Sequence, residues 1–173
     1  MAGCGAYSKI EGFAFLPITS FTMALTTFVG QNLGARQYDR VSKGAKFGMI
    51  CSMTLAEIIG VIIFVFGPQF VAAFDATPEV IHFGTLRGQT SAFFFCLLAY
   101  SHCVSAILRG AGKSMVPMIV MMVCWCFVRV TGLTIMGALV HNIWCVYWIY
   151  PITWSLSSIT FFIYYHRVDW LHA

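Results

Sequence analysis

Long uncharged stretches alternate with short polar gaps along the chain. Residues 12–35 carry no charged side chain, 47–74 carry only Glu57, and 88–108 are again free of charge. Residues 114–137 carry only Arg129, and 138–166 carry none. A helix needs about 20 mostly apolar residues to cross a bilayer, so each stretch is long enough for one span. The pattern predicts helices at about residues 3–33, 41–73, 79–109, 115–138 and 142–166. Transmembrane β-strands would alternate in polarity over segments of about ten residues, and the run at 58–64, IIGVIIF, does not alternate. The expected fold is therefore an all-α integral membrane protein, a single bundle of five transmembrane helices.

Composition narrows this further. The chain is 60% apolar and 9% charged, against roughly 45–50% and about 25% in soluble domains. That excludes a soluble globule, and five spans leave no room in 173 residues for a soluble domain of useful size. Lys9 and Glu11 interrupt the N-terminus and the apolar run behind them continues too far for a removable signal peptide. The net charge of +4 does not point to nucleic acid, because the basic residues fall in the gaps between spans. If the spans alternate in direction, Arg36, Arg40, Lys43, Lys46, Arg109, Lys113 and Arg167 share one side, which should be cytoplasmic. Met1 is then outside and the C-terminus inside, in a multi-pass protein of the cell membrane. Lys9 and Arg87 fall at the margins of the outer side. An N-out start without a hydrophilic tail, with an odd number of spans, leads us to expect that an N-terminal portion precedes these residues in a longer protein.

Chemical punctuation marks the boundaries. Thr77, Pro78 and Glu79 offer an N-cap, a proline at the first helical position and an acidic first turn. The gap at 109–114, RGAGKS, is a polar, glycine-rich connection, and residues 137–142 separate the last two spans. Pro17 and Pro151 lie inside spans and should kink them. Gly44 with Gly48, and Gly84 with Gly88, form pairs that permit close helix approach. Trp144, Tyr147, Trp148 and Tyr150, and at the other end Tyr164, Tyr165 and Trp170, fit aromatic belts at the two interfaces.

Ionisable groups at bilayer depth are costly and usually face a cavity or a partner. Glu57 lies eleven residues past Lys46, about 16 Å along a helix. It could exchange a proton, bind a cation, or sit hydrogen-bonded between helices. Arg129, twelve residues past Pro117, lies at a similar depth, about 18 Å along, so the two could pair or share a cavity. His102 could line a pathway or make a helix-to-helix hydrogen bond, and Tyr7 and Trp154 could reach a cavity. Other motifs are weaker. The GKS run at 112–114 lacks the glycine and preceding strand of a phosphate-binding loop. Seven cysteines, nearly all in apolar spans, read as packing residues. The histidines are scattered, with no spacing for a metal site, so no metal or cofactor is expected. No nucleophile elbow or paired carboxylates argue for an enzyme.

Several segments resemble one family. GAYSKIEGFAFLP at 5–17, ALTTFVGQNLGA at 24–35, the DATPE run at 75–79, LRGAGK at 108–113, FVR at 127–129 and YPITW at 150–154 stand in the order and spacing of the second lobe of multidrug and toxic compound extrusion (MATE) transporters. The resemblance covers essentially the whole chain. It implies a partial second lobe, lacking the first lobe and the first helix of the second. It also implies multidrug efflux by antiport against Na+ or H+ through alternating access, as part of a larger transporter. The expected partners are the lipid bilayer, small amphiphilic or cationic substrates, and either the missing N-terminal lobe or a second copy through self-association.

Two departures limit the carry-over. Coupling carboxylates that some branches place in the first lobe have no counterpart here. The aspartate another branch places in the third span is also absent, since 93–100 read FFFCLLAY. The alternative reading is a stand-alone small membrane protein that oligomerises or serves as a non-transporting interaction partner.

Overall fold

The structure is a computed structural model that describes residues 2–139, 143–168 and 170. Met1, the connection at 140–142, His141, Asp169, His172 and the C-terminal end lie outside the described residues. The described residues form helices throughout, in the order α1 (Ala2–Gly34), α2 (Tyr38–Ala72), α3 (Pro78–Ala92), α4 (Phe95–Gly110), α5 (Met115–Met121), a π-helical segment (Met122–Val128), α6 (Arg129–Leu139) and α7 (Ile143–Arg167). Four helical stretches are long and apolar enough to cross a membrane, and α3 with α4 makes a fifth if that bent pair is one span.

Helix ends follow the local chemistry. α1 stops at Gly34, and the left-handed turn beyond it falls on Arg36, with φ of 55°. α4 closes through Gly112, φ 80°, whose successor Lys113 donates its N–H to the Leu108 carbonyl at 2.9 Å, as in glycine-terminated helices. α3 opens as expected, with Thr77 at the N-cap and Pro78 behind it, but the Thr77 side chain makes no capping bond. Instead Asp75 Oδ1 accepts the Thr77 N–H at 2.9 Å.

That turn predicts a pH dependence. Hydrogen bonds from the Thr77 hydroxyl and backbone N–H hold the exposed Asp75 carboxyl below its ordinary pKa. A lowered folded-state pKa gives stabilisation that is present above the ordinary aspartate range and is lost as pH falls through the lowered value. The Thr77 amide proton should therefore titrate by NMR with a midpoint below that of Asp75 in an unstructured peptide. A midpoint at or above the peptide value would refute the turn.

The expected kinks at Pro17 and Pro151 do not interrupt the helices: α1 and α7 run continuously through them. The interruptions fall elsewhere. The third span bends by 58° between α3 and α4, at Phe93 and Phe94, and the fourth widens into the π-helical segment just before Arg129. A break at bilayer depth leaves amide N–H groups without intrahelical partners. Glu57 meets one of them, its Oε2 accepting the Cys96 N–H at 3.3 Å in the first turn of α4. A carboxylate there also opposes the positive end of the helix dipole. Glu57→Leu should therefore destabilise the chain by about 1–3 kcal/mol, the cost of a buried donor left unpaired. Glu57→Gln keeps an acceptor and should lose less than half of that; thermal unfolding of both variants in detergent checks it.

α1, α2 and the bent α3–α4 pair pack on one another, and α7 packs against α4. One core, built around Tyr7, Ile18, Ile63, Phe95, Leu98 and Trp154, fills one end of the bundle. A second, around Val29, Val41, Val104, Leu108 and Phe161, fills the other. The second core adjoins Arg36, Arg40, Lys43, Lys46, Arg109, Lys113 and Arg167, so these basic residues gather at one end. The fourth span, from α5 to α6, lies outermost. Phe47, Ile50, Phe127 and Val130 are among the many large apolar side chains left exposed, an outer surface suited to lipid rather than water.

The aromatic belts need correction. Trp144 and Trp148 face outward as expected, but Tyr147 and Trp170 are buried. Tyr147 donates its hydroxyl to the Phe83 carbonyl at 3.2 Å, and Tyr150 turns inward, as described below. The glycine pairs do admit neighbours: side chains of α1 occupy the space at Gly44 and Gly48, and the Tyr7 ring packs at Gly88.

Candidate functional site

Positions 7, 8, 11, 12 and 15 lie on one face of α1, because a helix returns to the same side every three or four residues. That face carries Tyr7, Ser8, Glu11, Gly12 and Phe15. Most of it borders a cavity of about 330 Å³, open on one side and lined by Arg87 from α3, Leu98 from α4, Trp125 and Arg129 from the fourth span, and Tyr150 and Trp154 from α7. The cavity adjoins the core around Tyr7 and Trp154, in the half of the bundle away from the basic end.

Its polar groups form one connected set. Arg87 Nη2 donates to Glu11 Oε2 at 3.1 Å, with the two side chains only 5% and 20% exposed. Arg87 Nη1 donates to Ser8 Oγ at 3.3 Å, and the guanidinium lies over the rings of Tyr7 at 5.3 Å and Tyr150 at 4.4 Å. Arg129 approaches from the opposite wall. Its Nη2 donates to Thr153 Oγ1 at 2.9 Å, and its guanidinium lies 4.9 Å from the Trp125 ring and 4.6 Å from Tyr150. Tyr150 thus contacts both guanidiniums, and its negative ring face offsets part of their charge. The Thr153 hydroxyl in turn donates to the Tyr150 carbonyl at 2.9 Å.

Among the residues singled out from the sequence, the structure brings Arg129 and Trp154 into the cavity wall. Tyr7 stands behind it, 1% exposed, as a platform for Arg87. His102 is packed edge-on between Phe15 at 4.8 Å and Trp125 at 5.1 Å, and its buried Nε2 has no hydrogen-bond partner among the described residues. The expected helix-to-helix hydrogen bond on that atom is therefore not made. Glu57 is elsewhere, on a shallow groove with Thr54, Ile58, Val61 and Ile62, and among the described residues it forms no ion pair with Arg129. The reason is the break in the third span, which draws Glu57 toward α4, while Arg129 turns from the π-helical segment toward α7.

Ser8, Glu11, Arg87, Trp125, Tyr150 and Thr153 complete the site and were not singled out. Arg87 reads as a margin charge, and Glu11 only as a charge interrupting the N-terminus. Yet α3 begins at Pro78, which places Arg87 nine residues inside the helix, about 14 Å along it. That arithmetic was the available signal, and it is the same arithmetic that singled out Glu57 and Arg129. Chemically, a carboxylate with one arginine partner at the edge of a cavity can exchange that partner for another cation, while the aromatic walls can hold a flat apolar ligand.

A bundle of this kind, with apolar outer faces and its polar cluster gathered between the helices, defines an α-helical integral membrane protein. The sequence profile of the MatE family matches residues 1–135, and the chain belongs to that family. It is 29% identical over 126 residues to the probable multidrug resistance protein NorM of Thermotoga maritima, covering 69% of this chain and 27% of that protein. It is 25% identical to multidrug and toxin extrusion protein 1 of Danio rerio over 95% of this chain and 28% of that protein. Among solved structures, the MATE transporter ClbM in complex with Rb+ superposes with a TM-score of 0.83 over 98% of this chain and 41% of that one, at 17% identity. The fold is therefore that of a MATE transporter. The chain spans about a quarter to a third of the length of the curated relatives it matches.

Proposed function

We propose that the chain works as part of a multidrug exporter, in which amphiphilic compounds leave the cell in exchange for Na+ or H+ by alternating access. The observation that carries this reading is the cluster of Glu11, Arg87 and Arg129 under aromatic walls, lining a cavity open on one side within the spans, where ionisable groups are otherwise expensive. The names of the relatives, multidrug resistance and extrusion proteins, support the same reading, as does a solved relative holding a monovalent cation.

In this scheme Glu11 is the coupling group. When it takes up a proton or sodium ion, Arg87 loses its counter-charge. Arg87 stands on α3, which joins α4 only through the bend at Phe93 and Phe94, so the change in pairing is transmitted to a helix with a natural hinge. The two occupancies of Glu11 then favour different arrangements of the bundle, as population shift requires. The basic end is cytoplasmic in this reading, in a cell-membrane protein with its N-terminus outside and C-terminus inside, and the remainder of the transporter supplies the opposite cavity wall.

The test is export of a panel of amphiphilic dyes from membrane vesicles containing the whole transporter, with an imposed Na+ or H+ gradient. Glu11→Gln should reduce gradient-driven export at least about tenfold, as loss of a group that acts only through its charge does, whereas Glu57→Gln should keep it. Full gradient-driven export by Glu11→Gln would overturn this reading.

A further inference from the structure

A second cavity lies on the other side of α1, because positions 10, 13 and 14 point away from positions 8, 11 and 15 on a helix. Ile10 and Phe13 of α1, with Ile59, Ile62 and Phe70 of α2, line a groove of about 370 Å³ that reaches Phe74 beyond the end of α2. Every side chain of its wall is Ile, Phe or Ala. Phe13, Ile62, Phe70 and Phe74 are exposed, so the groove opens on the apolar outer surface. It lies in the half of the bundle away from the basic end, since α1 enters and α2 leaves there. From Ile59 to Ala73 it runs about 20 Å along the helix axis, comparable with one leaflet, which is half of a hydrocarbon core about 30 Å thick.

These features decide what fills it. Wall atoms that face a void forfeit their dispersion contacts, and a water molecule in the groove would find no polar side chain to bond. The occupant is therefore apolar. A further helix would dock through small residues that let backbones approach, whereas this wall is mostly Phe and Ile. A long, flexible, narrow chain suits it better.

The rim adds a charge. Lys9 Nζ stands 5.6 Å from the centroid of the Phe74 ring, where the groove ends, and the ring face holds the ammonium in place. Asp75, the next residue after Phe74, turns one carboxylate oxygen to the Thr77 amide. Among the described residues the ion pair is that of Arg87 with Glu11, and Lys9 forms none. An exposed cation at the mouth of a wholly apolar groove is complementary to an anionic group carried on an acyl chain.

From this we infer that the groove binds one phospholipid, from the leaflet away from the basic end, with an acyl chain between α1 and α2 and the phosphate at Lys9. Ile10 and Ile63 also belong to the core around Tyr7, so the bound chain supports the α1–α2 seam from outside. The site shares no lining residue with the charged cavity and does not depend on the export reading.

A photoactivatable lipid tests this: phosphatidylglycerol with a diazirine on one acyl chain, added in trace amount to the chain in detergent micelles, with the labelled peptides mapped by mass spectrometry. Residues 10–14 and 59–74 should be labelled more heavily than 115–122, a stretch whose Met115, Met118 and Ile119 are equally exposed but border no such groove. Unlabelled dioleoylphosphatidylglycerol should displace the groove label about fivefold more effectively than dioleoylglycerol, which has the same chains without the phosphate, as one lysine near a lipid phosphate provides. Lys9→Gln should erase that difference and leave labelling by the acyl chain. Ile62→Trp, or Ala73→Trp toward the Phe74 end, fills the groove and should reduce its label to the level at 115–122, with the unfolding midpoint of each variant showing that the fold is kept. Equal displacement by the two lipids in the unmodified chain would overturn the role of Lys9. Labelling no heavier than at 115–122, labelling that persists in both plugged and folded variants, or a groove left unlabelled because protein covers it would overturn the lipid site.

Discussion

Arg87→Met should lower the stability of the chain by about 3–5 kcal/mol, the usual cost of removing one partner from a buried ion pair. For a chain of this length that corresponds to a fall of roughly 6–20 °C in the unfolding midpoint. The size follows from what is left behind rather than from the bond itself. Methionine fills much the same space, but Glu11, with its side chain only 20% exposed, loses its direct cation, and Ser8 loses the donor at 3.3 Å. Arg129 attracts Glu11 through space without bonding to it, so it softens the loss and does not remove it. The companion variant fixes the cause. Glu11→Leu combined with Arg87→Met removes both charges and should recover most of the lost stability, because a buried pair replaced by apolar groups is often neutral or better. Thermal unfolding in detergent, followed by tryptophan fluorescence, measures both. If Arg87→Met alone costs under about 1 kcal/mol, or if the double variant is as unstable as the single one, the pair does not hold α1 to α3. A double variant that is stable but transports nothing would show that the two charges serve the site and not the fold.

The same residues show how much could be read beforehand. The five spans were legible because lipid imposes one rule on whole segments, the exclusion of charge over about 20 residues, and that rule survives any detail of packing. The basic end was legible for the same reason. Among the charged residues of the site, Arg129 alone was legible, because it stands deep inside an uncharged stretch. Glu11 and Arg87 sit within the folded helices but near the ends of the stretches, and no one-dimensional pattern says that two such charges from segments 76 residues apart will meet. Glu57 shows the converse. It stands out in the sequence as the one acid of its stretch, but its partner is a backbone amide freed by a bend at Phe93 and Phe94, where neither proline nor glycine gives warning. Tyr147 and Tyr150 were placed in an interface belt because aromatic residues cluster there, whereas their directions are set by Phe83 and by the guanidiniums across the bundle.

Gly60→Val should be more damaging than the corresponding change at Gly44, Gly48 or Gly88, costing more than the roughly 1–3 kcal/mol typical of overpacking. Gly60 reads in the sequence as one small residue in a run of β-branched neighbours. In the structure it is the place where α2 meets the end of α3, and a Cβ there would collide with the Ala92 carbonyl oxygen, with the Ala92 carbonyl carbon at 3.2 Å and Phe95 Cδ2 at 3.4 Å. The obstacle is backbone at a helix terminus, which yields only if the bend itself moves. At Gly48 the nearest atom is Leu25 Cδ2, at 2.6 Å, the far end of a side chain that can change rotamer, so Gly48→Ala should cost less than about 1 kcal/mol. The consequence of Gly60 extends to the cavity. Arg87 stands on α3 five residues before Ala92, and Glu57, three residues before Gly60, holds the first turn of α4, so displacing this contact disturbs both the ion pair and the cap of the broken span. Gly60→Ala combined with Arg87→Met should therefore be less destabilising than the sum of the two, since the first already strains what the second removes. Gly48→Ala combined with Arg87→Met should be additive within about 0.5 kcal/mol. Strict additivity for the Gly60 pair in thermal unfolding would show that the bend and the charged cavity are independent, and that α3 does not transmit movement between them.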